Sequence, residues 1–208
     1  MPAFAEVIQQ VAKVKSVTFV SNSTLRNDST KEIVLREHVK WYVQGQQLRM
    51  EDTVGTTATF ADLAQKHIGT LDLKRKTAFT HLLDDDLGEL FANPIGQIQQ
   101  LKAGDAKLVG NEVLDGRKMQ LYELDKVDFL MMGGKGATSI WVDPQTQLPV
   151  KIVIEPKKLK DRSVFIEITN FDWNKELDES LFRVPGDYKI IDANRWMRER
   201  REDKPQKN

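Results

Sequence analysis

The stretch from Ile33 to Val43 sets the tightest limit on what this chain can fold into. Ile33, Leu35, Val39, Trp41 and Val43 fall on one side of a two-residue alternation, and Val34, Arg36, His38, Lys40 and Tyr42 fall on the other. A period of two belongs to a strand with one buried and one wetter face, which favours an antiparallel sheet. The alternation recurs between turn residues along most of the chain. Val17 to Thr24, Leu48 to Met50, Thr56 to Ala61, Ile68 to Leu73 and Thr77 to Leu82 read as strands. So do Lys107 to Val113 and Lys118 to Leu124, which flank Asp115-Gly116, a strong hairpin signal. Val164 to Trp173 and Tyr188 to Ile191 follow.

Helical spacing occurs in two places. Phe4, Val7, Ile8, Val11 and Val14 form the apolar stripe of an N-terminal amphipathic helix. Leu87, Leu90, Phe91, Ile95, Ile98 and Leu101 form a second helical region that Pro94 interrupts, with Asn93 placed as a cap. Asp178 to Phe182 reads as a short helical turn. The order is helix, strand meander, helical insert, second meander. Without βαβ alternation, a doubly wound or barrel enzyme fold is excluded as an expectation. Residues 1–192 read as one domain, and 193–208 as a charged helix and tail.

Composition narrows function. Lys plus Arg and Asp plus Glu both number 31, so no basic excess suits a nucleic-acid surface. There is no cysteine, which removes thiol catalysis and zinc thiolate sites. No apolar run has the ~20 residues that span a bilayer, and Met1-Pro2-Ala3 leads into the helix without the pattern of a signal peptide.

Trp141 to Glu155, WVDPQTQLPVKIVIE, reads as a half-buried hairpin. Pro144 presets a turn corner, and Asp143 can accept a backbone N–H across it. Pro149 sits at a strand start, where a missing donor is tolerated. This segment resembles the D-P-x-T-x-L-P hairpin of the LolA-like lipoprotein-carrier superfamily. Two further features match in order: Gly104-Asp105-Ala106 before the Asp115-Gly116-Arg117 hairpin, and Asn170-Phe171-Asp172 through Leu177-Asp178-Glu179-Ser180-Leu181-Phe182 to Pro185. The texture is similar to extracytoplasmic domains of planctomycete-type sigma-factor regulators.

The resemblance implies a mainly β (α+β) fold: an open antiparallel half-barrel of about ten or eleven strands, with helices over its concave face. It implies an extracytoplasmic location and a non-enzymatic module holding a lipid or lipoprotein acyl group, as carrier or envelope sensor. The alternative is a regulatory domain of a sigma-factor system that binds a partner protein at the barrel mouth or a sheet edge, without lipid. No cofactor, nucleic acid or metal is expected. The carriers' arginine-controlled lid does not transfer, because Arg26, Arg36 and Arg49 are equal candidates for it.

An acyl cavity needs apolar walls. The expected sheet residues are Phe19, Trp41, Met50, Phe60, Phe79 and Trp141. The expected covering residues are Leu90, Phe91, Ile98, Phe129, Met131 and Met132. Methionine suits a wall that adapts to varied chains, although any one of these side chains is more often an ordinary core residue. Other clusters carry less. Gly133-Gly134-Lys135-Gly136 lacks phosphate-loop spacing. Asp84-Asp85-Asp86 reads as helix capping. His67 and His81 lack a third zinc ligand, and a one-residue register shift would part them. His38 has no evident partner. Glu37 interrupts an apolar face, either as a buried carboxylate or at the cavity rim.

Overall fold

The computed structural model describes residues 4–82, 94–128, 135–156 and 161–192. Its N-terminal helix α1, Phe4–Ala12, buries Phe4, Val7 and Val11, the stripe expected from their spacing. Six strands follow: β1 Ser16–Asn27, β2 Ile33–Gln44, β3 Gln47–Asp52, β4 Thr57–Asp62, β5 His67–Asp72 and β6 Thr77–Leu82. Helix α2, Pro94–Gln100, precedes β7 Ala106–Leu114, β8 Arg117–Asp128, β9 Lys135–Val142, β10 Pro149–Pro156 and β11 Arg162–Trp173. A 3₁₀ turn at Glu179–Phe182 leads to β12, Lys189–Asp192.

The twelve strands of the described residues form one open sheet in the order β12-β6-β5-β4-β3-β2-β1-β11-β10-β9-β8-β7. Two meanders meet at its centre, where β1 pairs antiparallel with both β2 and β11. The architecture is the expected open half-barrel, with one strand more than the resemblance implies. That strand, β12, runs parallel to β6.

Local chemistry explains the turns. Asp115 and Gly116 both have positive φ, 49° and 76°, the two-residue geometry whose twist suits a hairpin. In the Asp143–Leu148 turn, the Asp143 carboxylate accepts the Gln145 N–H at 2.8 Å, and its carbonyl accepts the Gln147 N–H at 2.8 Å. The Asp178 side chain caps the 3₁₀ turn by accepting the Ser180 N–H.

Cross-strand registers sort the faces, because directly opposed residues point the same way. One face carries Val17, Phe19, Trp41, Val43, Leu48, Ile140, Ile152 and Ile168, which pack in one core with Phe4, Val7 and Val11 of α1 and Ile95 and Ile98 of α2. The other face has a smaller cluster of Ala58, Phe60, Leu71 and Ala78, packed by Leu73, Val184 and Tyr188. The alternation in β2 overstates burial at one end. Ile33 and Leu35 remain 46% and 48% exposed, because the helices cover the other half of the strand.

Candidate functional site

The larger apolar face of the sheet is the helix-covered one. A row crosses six strands there: Phe19 opposes Trp41, Trp41 opposes Met50, Met50 opposes Thr59, Thr59 opposes Thr70, and Thr70 opposes Phe79. Phe19 and Trp41 are fully buried and stack at 5.6 Å with 14° between ring planes. The Trp41 indole N–H donates to the Ser21 hydroxyl at 2.8 Å, which satisfies its one polar atom inside the core. Phe171 touches Phe19 at 5.6 Å and stacks on Trp173 at 5.1 Å. Beyond Trp41 the row opens, and Met50 and Phe79 are only half-buried. A side chain that is half-buried here lends apolar surface to whatever rests against it.

Helix α2 is held by Ile95 and Ile98 against this face, and the Gln99 side chain donates to the Val11 carbonyl of α1 at 3.1 Å. Phe4 of α1 packs on Tyr122 at 5.1 Å. Burial, with the Glu6 carboxylate adding to it, pushes the Tyr122 phenol above its ordinary value.

Phe19, Trp41, Met50 and Ile98 of the expected set pack in one core, and Phe79 shares only their sheet face, by register. Phe60 and Trp141 lie on the opposite face, which corrects their assignment to the same wall. Phe60 opposes Arg49 and Gly69, and its ring lies over Gly69. Trp141 donates its indole N–H to Glu112 at 2.8 Å and lies under the Lys151 ammonium. Leu90, Phe91, Phe129, Met131 and Met132 fall outside the described residues, as do Asp84 to Asp86, Gly133, Gly134 and the C-terminal tail from residue 193.

The other candidates resolve by register. His67 opposes Leu82 and His81 opposes Ile68, so the two histidines sit on opposite faces of their hairpin. His67 packs on Phe60. Contrary to expectation, His38 has a partner, the Asn22 carboxamide directly across the strand pair. Glu37 is exposed opposite Ser23, at the rim rather than in the core. Arg49 belongs to no lid: it is buried on the face away from the helices, bonded to Glu51 and to the Leu181 carbonyl. Among the described residues, no group of three or more His, Asp or Glu could hold a metal, and no helix is long and apolar enough to cross a membrane.

A depression of about 740 Å³ lies beside the Asp143–Leu148 turn. Its lining mixes Met119, Phe171 and Trp173 with Arg117, Asp143 and Lys151, a charged rim poorly suited to a bare hydrocarbon chain. Sequence reading missed two polar residues of the helix-covered face, Gln97 and Thr138. Gln97 lies between the core residues Ile95 and Ile98, and Thr138 falls two residues before the core residue Ile140 on the same strand face, which is the one signal that could have found them.

No protein-family model matches the chain, and no curated protein does. Solved structures do. LprF from Mycobacterium bovis superimposes with a TM-score of 0.53 at 15% identity, over 90% of this chain and 98% of its own. The Mycobacterium tuberculosis lipoprotein LppX gives 0.52 at 16% identity, over 85% of this chain and 98% of its own. The chain shares their fold. A LolA superfamily protein from Nitrosomonas europaea also matches, with a TM-score of 0.36 at 11% identity, over 86% of this chain and 96% of its own.

Proposed function

We propose that this protein is a non-enzymatic, extracytoplasmic binding module that holds a lipid or lipoprotein acyl chain on its helix-covered face. The observation that carries this reading is the row Phe19–Trp41–Met50–Thr59–Thr70–Phe79, which runs from sealed core to half-buried surface. An acyl chain laid along Met50 and Phe79 gains ~0.8 kcal/mol per buried methylene, so a long chain binds without a charged anchor. The shared fold with the lipoprotein LppX supports the extracytoplasmic setting. Carrier and envelope sensor are two uses of the same site.

The test is mass spectrometry of an organic extract from freshly purified protein, beside native mass spectrometry of the intact sample. Stoichiometric lipid, or uptake of an added acyl probe, is expected in the native protein and lost in Met50→Glu. A protein that neither carries nor takes up acyl chains contradicts the reading.

A second reading has its own observation. Strand β7, at one end of the sheet, leaves Leu108, Val109 and Val113 exposed, the last at 70%, and among the described residues has a strand on one side only. A partner protein that adds a strand there would make the domain a regulatory module without lipid. Loss of partner capture on Val109→Pro, with acyl uptake absent throughout, is the result that favours it.

A further inference from the structure

Strands β1, β2 and β11 are twelve residues long, and they share one poorly covered end, where 25–27, 33–36 and 162–165 meet. Ile33, Val34, Leu35 and Phe165 stand there 46%, 50%, 48% and 42% exposed. Register puts them on both faces of the sheet. Leu35 opposes Leu25 on the helix-covered face, whereas Phe165 opposes Thr24, and Ile33 opposes Arg26, on the other. A partner lying on one face cannot cover both sets. Apolar side chains bare on both faces of the same strand ends suit immersion in an apolar phase, and exposed clusters of this kind mark protein or membrane contacts.

Charge lies directly behind this tip, on the face away from the helices. Along β2, Arg36, His38 and Lys40 alternate with Glu37 and Val39, so they share that face at intervals of about 7 Å. Arg26 continues the stripe on β1, two residues beyond Thr24, which opposes Arg36. On the same face β1 offers Val20, Asn22 and Thr24, so this strand pair sets no carboxylate against its cations. On the flanking strands, Glu51 is held by Arg49 and Glu167 by Lys151. Arg26, Lys31, Arg36 and Lys40 are exposed, and none makes an ion pair among the described residues. Lys40 lies over the Tyr42 ring, which leaves its charge unneutralised. At the tip, Ile33 and Phe165 border a depression of about 570 Å³ with Arg26, Lys31, Asp28 and Glu155. Signs are mixed there, so the positive excess sits at Arg36 and Lys40.

We propose that the shared end of β1, β2 and β11 docks on the surface of an anionic lipid bilayer. Ile33, Val34, Leu35 and Phe165 enter the boundary between headgroups and acyl chains, and Arg36 and Lys40 lie against lipid phosphates. Apolar burial and attraction to anionic lipid act together in such contacts. An extended acidic protein segment would match the stripe on β2, but it would leave Leu35 bare on the opposite face. The docking surface is separate from the acyl site and does not depend on it.

The experiment is co-sedimentation of the full chain with vesicles of phosphatidylcholine, alone or mixed with phosphatidylglycerol. The native protein is expected to partition onto the mixed vesicles, and to be released by salt, which screens exposed charges. Arg36→Gln and Lys40→Gln each lower that partition about fivefold and leave binding to phosphatidylcholine alone unchanged. Ile33→Ser and Phe165→Ser lower binding to both kinds of vesicle. Lys74→Gln, an exposed lysine in the β5–β6 turn, is the control and changes nothing. All these side chains are exposed, so urea midpoints stay level and the losses are read on folded protein. Equal binding to the two kinds of vesicle, or to neither, overturns the proposal, as does a Lys74→Gln loss equal to that of Arg36→Gln. Tight binding to soluble polyglutamate, with Ile33→Ser and Phe165→Ser silent, also overturns it and assigns the stripe to an acidic protein segment. Uptake of a soluble acyl probe is measured in the same variants and stays unchanged, so a failure of docking and a failure of the acyl site are read apart.

Discussion

The Arg49 guanidinium donates to the Leu181 carbonyl at 2.8 Å and so ties the sheet to a segment more than a hundred residues further along the chain. The same side chain bonds Glu51 at 2.7 Å, and Glu51 also accepts the Tyr42 hydroxyl at 3.0 Å. The 3₁₀ turn is thus latched across β2 and β3 on the face away from the helices. Arg49→Met leaves the half-buried Glu51 carboxylate without its counter-charge, keeping only the Tyr42 hydroxyl, and removes the bond to the Leu181 carbonyl. We expect a loss of about 2–4 kcal/mol by urea unfolding, with acyl uptake per folded molecule unchanged. A loss of uptake without loss of stability would return Arg49 to the ligand site.

Gly69 and Phe60 make a second tie on that face. A Cβ at Gly69 would lie 2.4 Å from two carbons of the Phe60 ring. Gly69→Ala displaces a buried ring and is expected to cost about 1–3 kcal/mol. Phe60→Ala empties the smaller cluster and is expected to cost about 3–5 kcal/mol. The double variant Gly69→Ala, Phe60→Ala should cost less than the sum, because the clash is gone. Additive costs in the urea-unfolding cycle would contradict the ring-over-glycine packing.

Asp52 gives the fold an acid limit. Its carboxylate accepts the Thr56 hydroxyl at 2.6 Å and the Thr57 hydroxyl at 2.8 Å, along with both backbone N–H groups. The Thr56 hydroxyl is the largest cause holding its pKa down to about 2 from 3.8, against an opposing contribution from burial. A folded-state pKa below the unfolded one means that the unfolded chain binds the extra proton. The stabilisation is present above about pH 4 and is lost as pH falls toward 2. Urea midpoints should fall over that window in the native protein and fall less steeply in Asp52→Asn. Parallel pH profiles would show that Asp52 plays no such part.

Ser21 and Trp41 test the sealed end of the ligand face. Ser21→Ala leaves the indole N–H buried without an acceptor, at a cost of about 1–3 kcal/mol. Near-ultraviolet circular dichroism should show the altered environment of Trp41. An unchanged midpoint and an unchanged spectrum would contradict the described packing.

Much of the architecture was legible from alternation and turn chemistry. Asp115-Gly116 and the Asp143–Pro149 segment closed the hairpins their residue types demand. The partition of faces was less legible. Alternation says which residues of one strand point together, but not which face of the sheet meets the helices. Phe60 and Trp141 are large and apolar like Trp41, yet the register turns them to the other face of the sheet. A glycine directly opposite Phe60 was the available hint. β12 was readable as a strand, but its parallel pairing with β6 depends on a long-range contact that no local pattern encodes. Gln97 and Thr138 were overlooked because their near neighbours are mixed, Gly96 and Gln99 for one and Gly136 and Ser139 for the other, so sequence alone reads them as solvent-facing.

The most direct test of the account uses tryptophan as a reporter on each face. The chain has four tryptophans. Trp141→Phe, Trp173→Phe and Trp196→Phe together leave Trp41 on the helix-covered face; Trp41→Phe, Trp173→Phe and Trp196→Phe leave Trp141 on the other. A long acyl chain brominated along its length quenches indole fluorescence only at close range. The account predicts saturable quenching of Trp41 and none of Trp141. Quenching of Trp141 with Trp41 untouched, or of neither, would contradict an acyl site on the helix-covered face.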